Sequence, residues 1–237
     1  MMGRRRPAAH ARFAAGTVRP VRPARYDARP SFPRMCMNEH DIGVRTATPA
    51  AWTFFRQWLR HPLSTASVTP SGRQLTRAMM RQLPADARCV VELGAGTGVF
   101  TRALLEHGIA PGQLVVVELN AELHALLSRQ LPRVAVVHGD ARDLRDIVAR
   151  VGCGTTVDAV VSGLGLLAMP RAVQQQILTA VFDVLGPGRS LIQFTYSPAP
   201  PVATGLLQEL DLRAERVAFA PLNLPPAFVF KFSRCHG

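Results

Sequence analysis

Cys89-Val90-Val91-Glu92-Leu93-Gly94-Ala95-Gly96-Thr97-Gly98 is the stretch that decides the fold. A short apolar strand runs straight into three alternating glycines, and a helix through Leu104 and Leu105 follows. Glycine at a strand-to-helix turn permits positive φ and lets backbone approach a ligand closely, but three of them cost chain entropy that a merely structural turn does not require. The dinucleotide fingerprint G-x-G-x-x-G would place its third glycine at Val99, whereas here the spacing is G-x-G-x-G. The loop therefore suits an amino-acid and ribose moiety better than a pyrophosphate.

Outward from this loop the chain alternates strand and helix. Leu114-Val115-Val116-Val117-Glu118 reads as the second strand, and a helix over 121–131 is stopped by Pro132. Val134–Val137 and Asp158–Val161 read as strands three and four. A helix over 171–185 ends at Gly186-Pro187-Gly188, and Ser190–Phe194 is strand five. Uninterrupted Val-rich strands separated by helices indicate a parallel sheet covered on both faces. Arg216–Phe219 and Ala227–Phe232 follow one another without a helix, which predicts an antiparallel hairpin at the sheet edge. The expected fold class is thus α/β and Rossmann-like: a mostly parallel seven-stranded sheet with an antiparallel C-terminal edge hairpin.

Two acids extend the Gly-rich loop into a candidate binding site. Glu118 ends strand two, twenty residues after Gly98, where a carboxylate can accept both hydroxyls of a ribose. Asp140, in His138-Gly139-Asp140-Ala141, ends strand three and can take an adenine amino group, although Asp143 and Asp146 nearby read equally well as surface charge. All three elements fall at carboxyl ends of adjacent strands, where open α/β sheets bind ligands.

Composition narrows the alternatives. Residues 1–34 hold nine arginines and one acid, Asp27, so most of the formal net charge of +12 sits in this tail and the remainder is only mildly basic. Residues 1–48 show no sustained period and are expected to be disordered; a basic arm, an organellar presequence and translated sequence ahead of a start at Met35 or Met37 all fit. The folded α/β domain is assigned to 49–237. Four scattered cysteines suggest neither a disulfide framework nor a zinc site, no metal is expected, and a reducing, cytoplasmic compartment fits. No apolar run approaches a bilayer-spanning length.

Residues 50–61 read as an amphipathic helix with Trp52, Phe54, Phe55, Trp58 and Leu59 on one side and Arg56 and Arg60 on the other. An interfacial anchor at an anionic membrane and a cap on the core are equally good readings of it. Ser71 is positioned to cap a helix over 72–83, with Leu75, Met79 and Leu83 inward.

The stretch Val90–Phe100 resembles the first motif of class I S-adenosylmethionine-dependent methyltransferases. Further segments are similar to the bacterial soluble phospholipid N-methyltransferases, which convert phosphatidylethanolamine stepwise to phosphatidylcholine. These are Phe55-x-x-Trp58 with Pro62 and Thr69-Pro70-Ser71, Ser162-Gly163-Leu164, Gln193-Phe194-Thr195-Tyr196-Ser197-Pro198, and Asn223-Leu224-Pro225-Pro226-Ala227. The resemblance covers roughly 51–232, and departs from the family where Gly165 stands in place of a frequent proline. It implies S-adenosylmethionine as cofactor, held by Glu92, Gly94, Ala95, Gly96, Thr97, Gly98, Glu118, Leu119, Asp140, Ala141, Ser162 and Gly163. It also implies a phospholipid acceptor met peripherally on the inner face of an anionic membrane, with Tyr196 and Ser162 nearest the reacting amine. Oligomeric state is not readable.

Adenine dimethylases of ribosomal RNA share the first motif and supply the competing acceptor. They carry an Asn/Asp-Pro-Pro-Tyr-like loop after strand four, whose aromatic stacks on the flipped base. Ser162-Gly163-Leu164-Gly165-Leu166 has neither the Asn nor the aromatic, which counts against RNA. A non-catalytic cofactor-binding scaffold is a third reading, opposed by the intact loop, Glu118 and Asp140.

Overall fold

The computed structural model describes residues 70–152 and 156–235. The expected disordered tail over 1–48 and the amphipathic helix over 50–61 lie outside the described residues. The elements run α1 (Pro70–Met80), β1 (Val90–Leu93), α2 (Val99–Glu106), β2 (Leu114–Glu118), α3 (Ala121–Gln130), β3 (Ala135–His138) and α4 (Leu144–Val151). They continue with β4 (Val157–Ser162), α5 (Arg171–Val184), β5 (Leu185–Thr195), α6 (Thr204–Glu209), β6 (Leu212–Ala220) and β7 (Ala227–Arg234).

The seven strands form one sheet in the order β3-β2-β1-β4-β5-β7-β6. Strands β1 to β5 pair in parallel, and β7 is antiparallel to both β5 and β6. The edge hairpin read from the sequence is therefore present, with β7 tucked between β5 and the outermost β6.

The period-2 pattern of the strands assigns each side chain to one face. Val91 and Leu93 of β1, with Val115, Val117, Val160 and Leu191, pack against Leu144 and Ile147 of α4, Ile177 and Leu178 of α5 and Leu206 of α6. Val90, Val116, Val161 and Ile192 point the other way, onto Leu75 and Met79 of α1, Phe100 and Leu104 of α2 and Leu127 of α3. Three helices cover each face, so both sides of the central strands are dry, as a parallel sheet requires.

Several boundaries differ from expectation. Helix α1 begins at Pro70, so Ser71 lies within its first turn instead of ahead of it. Strand β3 lies one residue later than expected, because its register is fixed by pairing of Glu118 with His138. Helices α4 and α6 were not expected; Leu144 and Ile147 of α4 are buried while the charged residues between them face out. Gly186-Pro187-Gly188 does not end the helix but belongs to β5. Pairing starts at Leu185 opposite Val157 and resumes at Ser190 opposite Ala159, the longer β5 segment being accommodated by a bulge.

Candidate functional site

Strand order reverses between β1, which continues to β2, and β4, which is reached by a crossover from β3. Open α/β sheets bind ligands at the carboxyl edge of such a switch point. The Gly-rich loop leaves β1 there, and the segment after Ser162 leaves β4 beside it. The Gly163 amide donates to the Leu93 carbonyl at 2.8 Å, and a Cβ on Gly163 would lie 2.6 Å from the Gly94 carbonyl oxygen. Gly163 is thus a close-approach residue that lets the two exits run side by side, a role its place in the sequence did not reveal.

The three loop glycines all have positive φ, at 69°, 58° and 80° for Gly94, Gly96 and Gly98. Their environments separate them. A Cβ on Gly94 would strike Leu164, and one on Gly98 would strike Leu127, each at 2.6 Å. A Cβ on Gly96 would meet nothing within 4 Å, so this glycine faces open space. Ala95 is buried, and the Thr97 carbonyl accepts from Arg102 at 2.8 Å, tying the loop to α2.

Glu118 fastens the loop from the next strand. Its Oε2 accepts from the Gly96 amide at 2.8 Å and its Oε1 from the Asn120 amide at 2.9 Å. Each carboxylate oxygen offers about two acceptor sites, so both retain capacity for a further donor. Leu119 is 65% exposed, an apolar side chain standing clear of the fold next to Glu118. Asp140 is more occupied: it caps the single turn Ala141–Asp143 through the Arg142 amide at 2.9 Å and pairs with the Arg142 guanidinium at 2.7 Å. The Arg142 side chain beside it holds its carboxyl below the ordinary range.

Glu92 is fully buried between β1 and α2, and among the described residues neither carboxylate oxygen has a hydrogen-bond partner. Desolvation pushes its pKa up to about 7; nearby Thr101 offsets part of that rise, and Glu118 adds to it.

At the exit of β4, Ser162 is buried, its Oγ accepting from the Leu164 amide at 3.2 Å. Two buried glutamines clamp the segment that follows. Gln193 Nε2 donates to the Leu164 carbonyl at 2.9 Å and to the Phe194 carbonyl at 2.7 Å. Gln174 Nε2 donates to Leu166 at 2.7 Å and Met169 at 3.2 Å. The clamping role of both is absent from the sequence reading; a glutamine on an otherwise apolar strand or helix face is the available signal. Tyr196, just past β5, packs edge-on against Phe194 with ring centroids 5.6 Å apart, and Phe194 lies 5.6 Å from Phe100 in the first turn of α2. Burial pushes the Tyr196 hydroxyl up to about 12, with the Asn223 side chain acting in the opposite sense.

An open groove between α4 and α5, lined by Arg142, Arg145, Asp146 and Asp183 among others, contains none of these groups. Its walls carry both signs of charge and present no convergent donors.

A family model described as a methyltransferase domain matches residues 90–188. An ornithine lipid N-methyltransferase of Singulisphaera acidiphila is 33% identical over 181 residues, spanning 73% of this chain and 91% of that protein. The chain belongs to the class I S-adenosylmethionine-dependent methyltransferases. A ribosomal RNA small subunit methyltransferase A of a Synechococcus strain is 31% identical over 139 residues, 54% of this chain but 46% of that one. The fold is shared with a TehB-like S-adenosylmethionine-dependent methyltransferase of Corynebacterium glutamicum, with a TM-score of 0.54 and 16% identity over 78% of this chain and 98% of that chain.

The residues present in the methyltransferase fit its cofactor, S-adenosylmethionine. Gly96 leaves space against bare backbone, Glu118 keeps unused acceptor capacity at the end of β2, and Glu92 is a buried carboxylate without a partner.

Proposed function

We propose that the chain methylates the primary amine of a lipid headgroup, phosphatidylethanolamine first among candidates, at an anionic bilayer surface. The observation that carries this reading is the clamped exit of β4. A flipped base needs an aromatic to stack on, and Ser162–Leu166 supplies none while Gln193 and Gln174 hold the segment in place. The likeness to an ornithine lipid N-methyltransferase supports the same chemistry, since ornithine and ethanolamine headgroups both offer a primary amine. Among the described residues no helix is long and apolar enough to cross a membrane.

In this reading Gly94, Ala95, Gly96, Thr97 and Gly98 cradle the cofactor, Glu118 takes its ribose hydroxyls, and Leu119, Asp140 and Ala141 border its adenine. Glu92 offers the buried negative charge for its amino group, and Ser162 and Gly163 line the approach of the acceptor. When bound, S-adenosylmethionine supplies a methyl group on a positively charged sulfur, a leaving group that needs no further activation. The protein's contribution is then alignment, on the order of 7–11 kcal/mol of barrier for well-oriented reactants. A tyrosine hydroxyl is neutral at pH 7 at its ordinary pKa, and burial of Tyr196 raises it further, to about 12. Tyr196 therefore orients the amine through a neutral hydroxyl and the ring face, and the amine's proton leaves to water.

The test is methyl-label transfer to three acceptors in parallel: phosphatidylethanolamine vesicles, ornithine lipid vesicles and unmodified ribosomal RNA. Label in either lipid, lost on Glu118→Ala, is expected. Label in RNA alone would overturn the reading.

A further inference from the structure

The turn between β6 and β7, Pro221-Leu222-Asn223-Leu224-Pro225-Pro226, points two leucines at solvent. Leu222 is 68% exposed and Leu224 is 86% exposed, whereas Asn223 between them is 8% exposed. This is not slack chain. The Leu222 amide donates to Gln74 Oε1 of α1 at 2.8 Å, the Asn223 amide donates to Ala220 at 3.2 Å, and Asn223 Nδ2 donates to the Pro225 carbonyl at 2.7 Å. A pinned backbone holds both leucines outward, unlike the scattered surface leucines that need no explanation. Phe219, half exposed at the end of β6, enlarges the apolar area; it stacks on Phe228 at 4.6 Å, with Arg216 over the same ring at 5.7 Å.

Charge around the tip has one sign. Neither 70–83 nor 216–237 contains an aspartate or glutamate. Arg73, Arg77 and Arg81 recur every four residues on the outer side of α1 and its continuation, all exposed, while Leu75 and Met79 turn inward. Gln74, which holds the tip, lies between the first two of these arginines in sequence.

Position links the tip to the chemistry. Thr195 at the end of β5 pairs with Phe228 at the start of β7, so the turn lies at the carboxyl edge of the sheet with the Gly-rich loop. The inward Asn223 stands by the Tyr196 hydroxyl.

We propose that this hairpin tip docks the enzyme on an anionic lipid bilayer. Leu222 and Leu224 enter the acyl region, and Arg73, Arg77, Arg81 and Arg216 lie among the headgroups. A headgroup then meets Tyr196 and Asn223 without its lipid leaving the membrane. The inference rests on the lipid-acceptor reading above for its purpose, but its physical content is separate. An RNA partner would use the arginines and leave the bare leucines unexplained.

The test uses the full chain and vesicles of phosphatidylglycerol and phosphatidylcholine. Flotation of the Leu222→Ser/Leu224→Ser variant should fall by roughly tenfold or more relative to the parent, while methyl transfer to monomeric short-chain phosphatidylethanolamine stays unchanged. Arg73→Gln/Arg77→Gln should lose flotation on these vesicles and not on pure phosphatidylcholine. A parent that does not float, or a serine variant that floats like the parent, overturns the docking proposal whichever lipid is methylated. Flotation lost in the serine variant with no lipid taking label would retain the docking surface and overturn the acceptor reading instead.

Discussion

Glu92 puts a titratable group where water cannot reach it, and that has a consequence for stability. Its folded pKa is about 7 against an ordinary value of 4.5. Between those values the folded chain holds a proton that the unfolded chain has released, so Glu92 destabilises the fold increasingly as pH rises through that window. The full penalty, on the order of 3 kcal/mol, applies above it. Glu92→Gln is neutral at every pH, so urea unfolding at pH 5 and pH 8 should show the substitution stabilising at pH 8 relative to its effect at pH 5. If the ionised carboxylate receives the cofactor's amino group, S-adenosylmethionine should stabilise the parent more at pH 8 than at pH 6, and the variant equally at both. A pH-independent difference between parent and variant would show that Glu92 is solvated. The glycines divide in the same manner between packing and binding. Gly163→Ala forces a Cβ to 2.6 Å from the Gly94 carbonyl and should lower stability by roughly 1–3 kcal/mol. Gly96→Ala meets no atom and bears only the left-handed strain of about 1–2 kcal/mol, but fills the space left for the ligand. Calorimetric titration should therefore find a folded Gly96→Ala protein with S-adenosylmethionine affinity reduced by about tenfold or more. Undiminished affinity would remove Gly96 from the cofactor site.

At the scale of elements, the exit of β4 is held by side chains that come from far along the chain. Gln193→Leu keeps the volume on β5 but removes both hydrogen bonds, freeing the Leu164 carbonyl next to the loop exit. About 1–3 kcal/mol of stability should be lost with the unsatisfied carbonyls. Under the proposed function the segment lines the acceptor's approach, so turnover should fall further than the change in KM for S-adenosylmethionine, even though Leu164 also packs against Gly94. Steady-state kinetics on the chosen lipid would check this, and an effect confined to cofactor KM would refute it. Such clamps were not legible in the sequence, because Gln193 and Gln174 act on backbone 29 and 8 residues away through a fold that has to exist first. What was legible is what repeats locally: Val115 and Val117 against Val116 fix a two-sided strand, and Gly94, Gly96 and Gly98 announce the turn. Helix α4 had a local signal as well, since Leu144, Ile147, Val148 and Val151 follow helical spacing, but the charges between them suggested bare surface. Strand β5 had a contrary local signal. Gly186-Pro187-Gly188 reads as a helix terminator, and pairing with β4 overrides it by bulging.

Across the whole molecule the two edges of the sheet carry different responsibilities. The carboxyl edge gathers the Gly-rich loop, Glu118, Ser162, Tyr196 and the leucine tip, and with them the buried charge, bare backbone and exposed apolar surface that a folded protein otherwise avoids. The opposite edge gathers contacts that only stabilise. There Asp158 Oδ2 accepts from the Arg88 and Cys89 amides at 2.7 and 3.0 Å, and Asp158 Oδ1 lies 3.2 Å from Arg189. Arg189 also grips Asp86 at 2.9 and 3.0 Å, a carboxylate that is 71% exposed. Solvent screening leaves an exposed pair of that kind worth less than about 1 kcal/mol. Asp158 is only 15% exposed and ties the start of β1 to β4, so its loss leaves the Arg88 and Cys89 amides without their acceptor, while Arg189 keeps Asp86. Asp158→Ala should therefore cost roughly 1–3 kcal/mol, read as a lower urea midpoint at unchanged slope, whereas Asp86→Ala should stay within about 0.5 kcal/mol of the parent. Both variants, assayed well below their unfolding transitions, should keep the parent's KM for S-adenosylmethionine and its turnover. A kinetic defect in folded Asp158→Ala would mean that the two edges are coupled through β1, and that the binding loop's geometry depends on how the same strand is anchored at its other end.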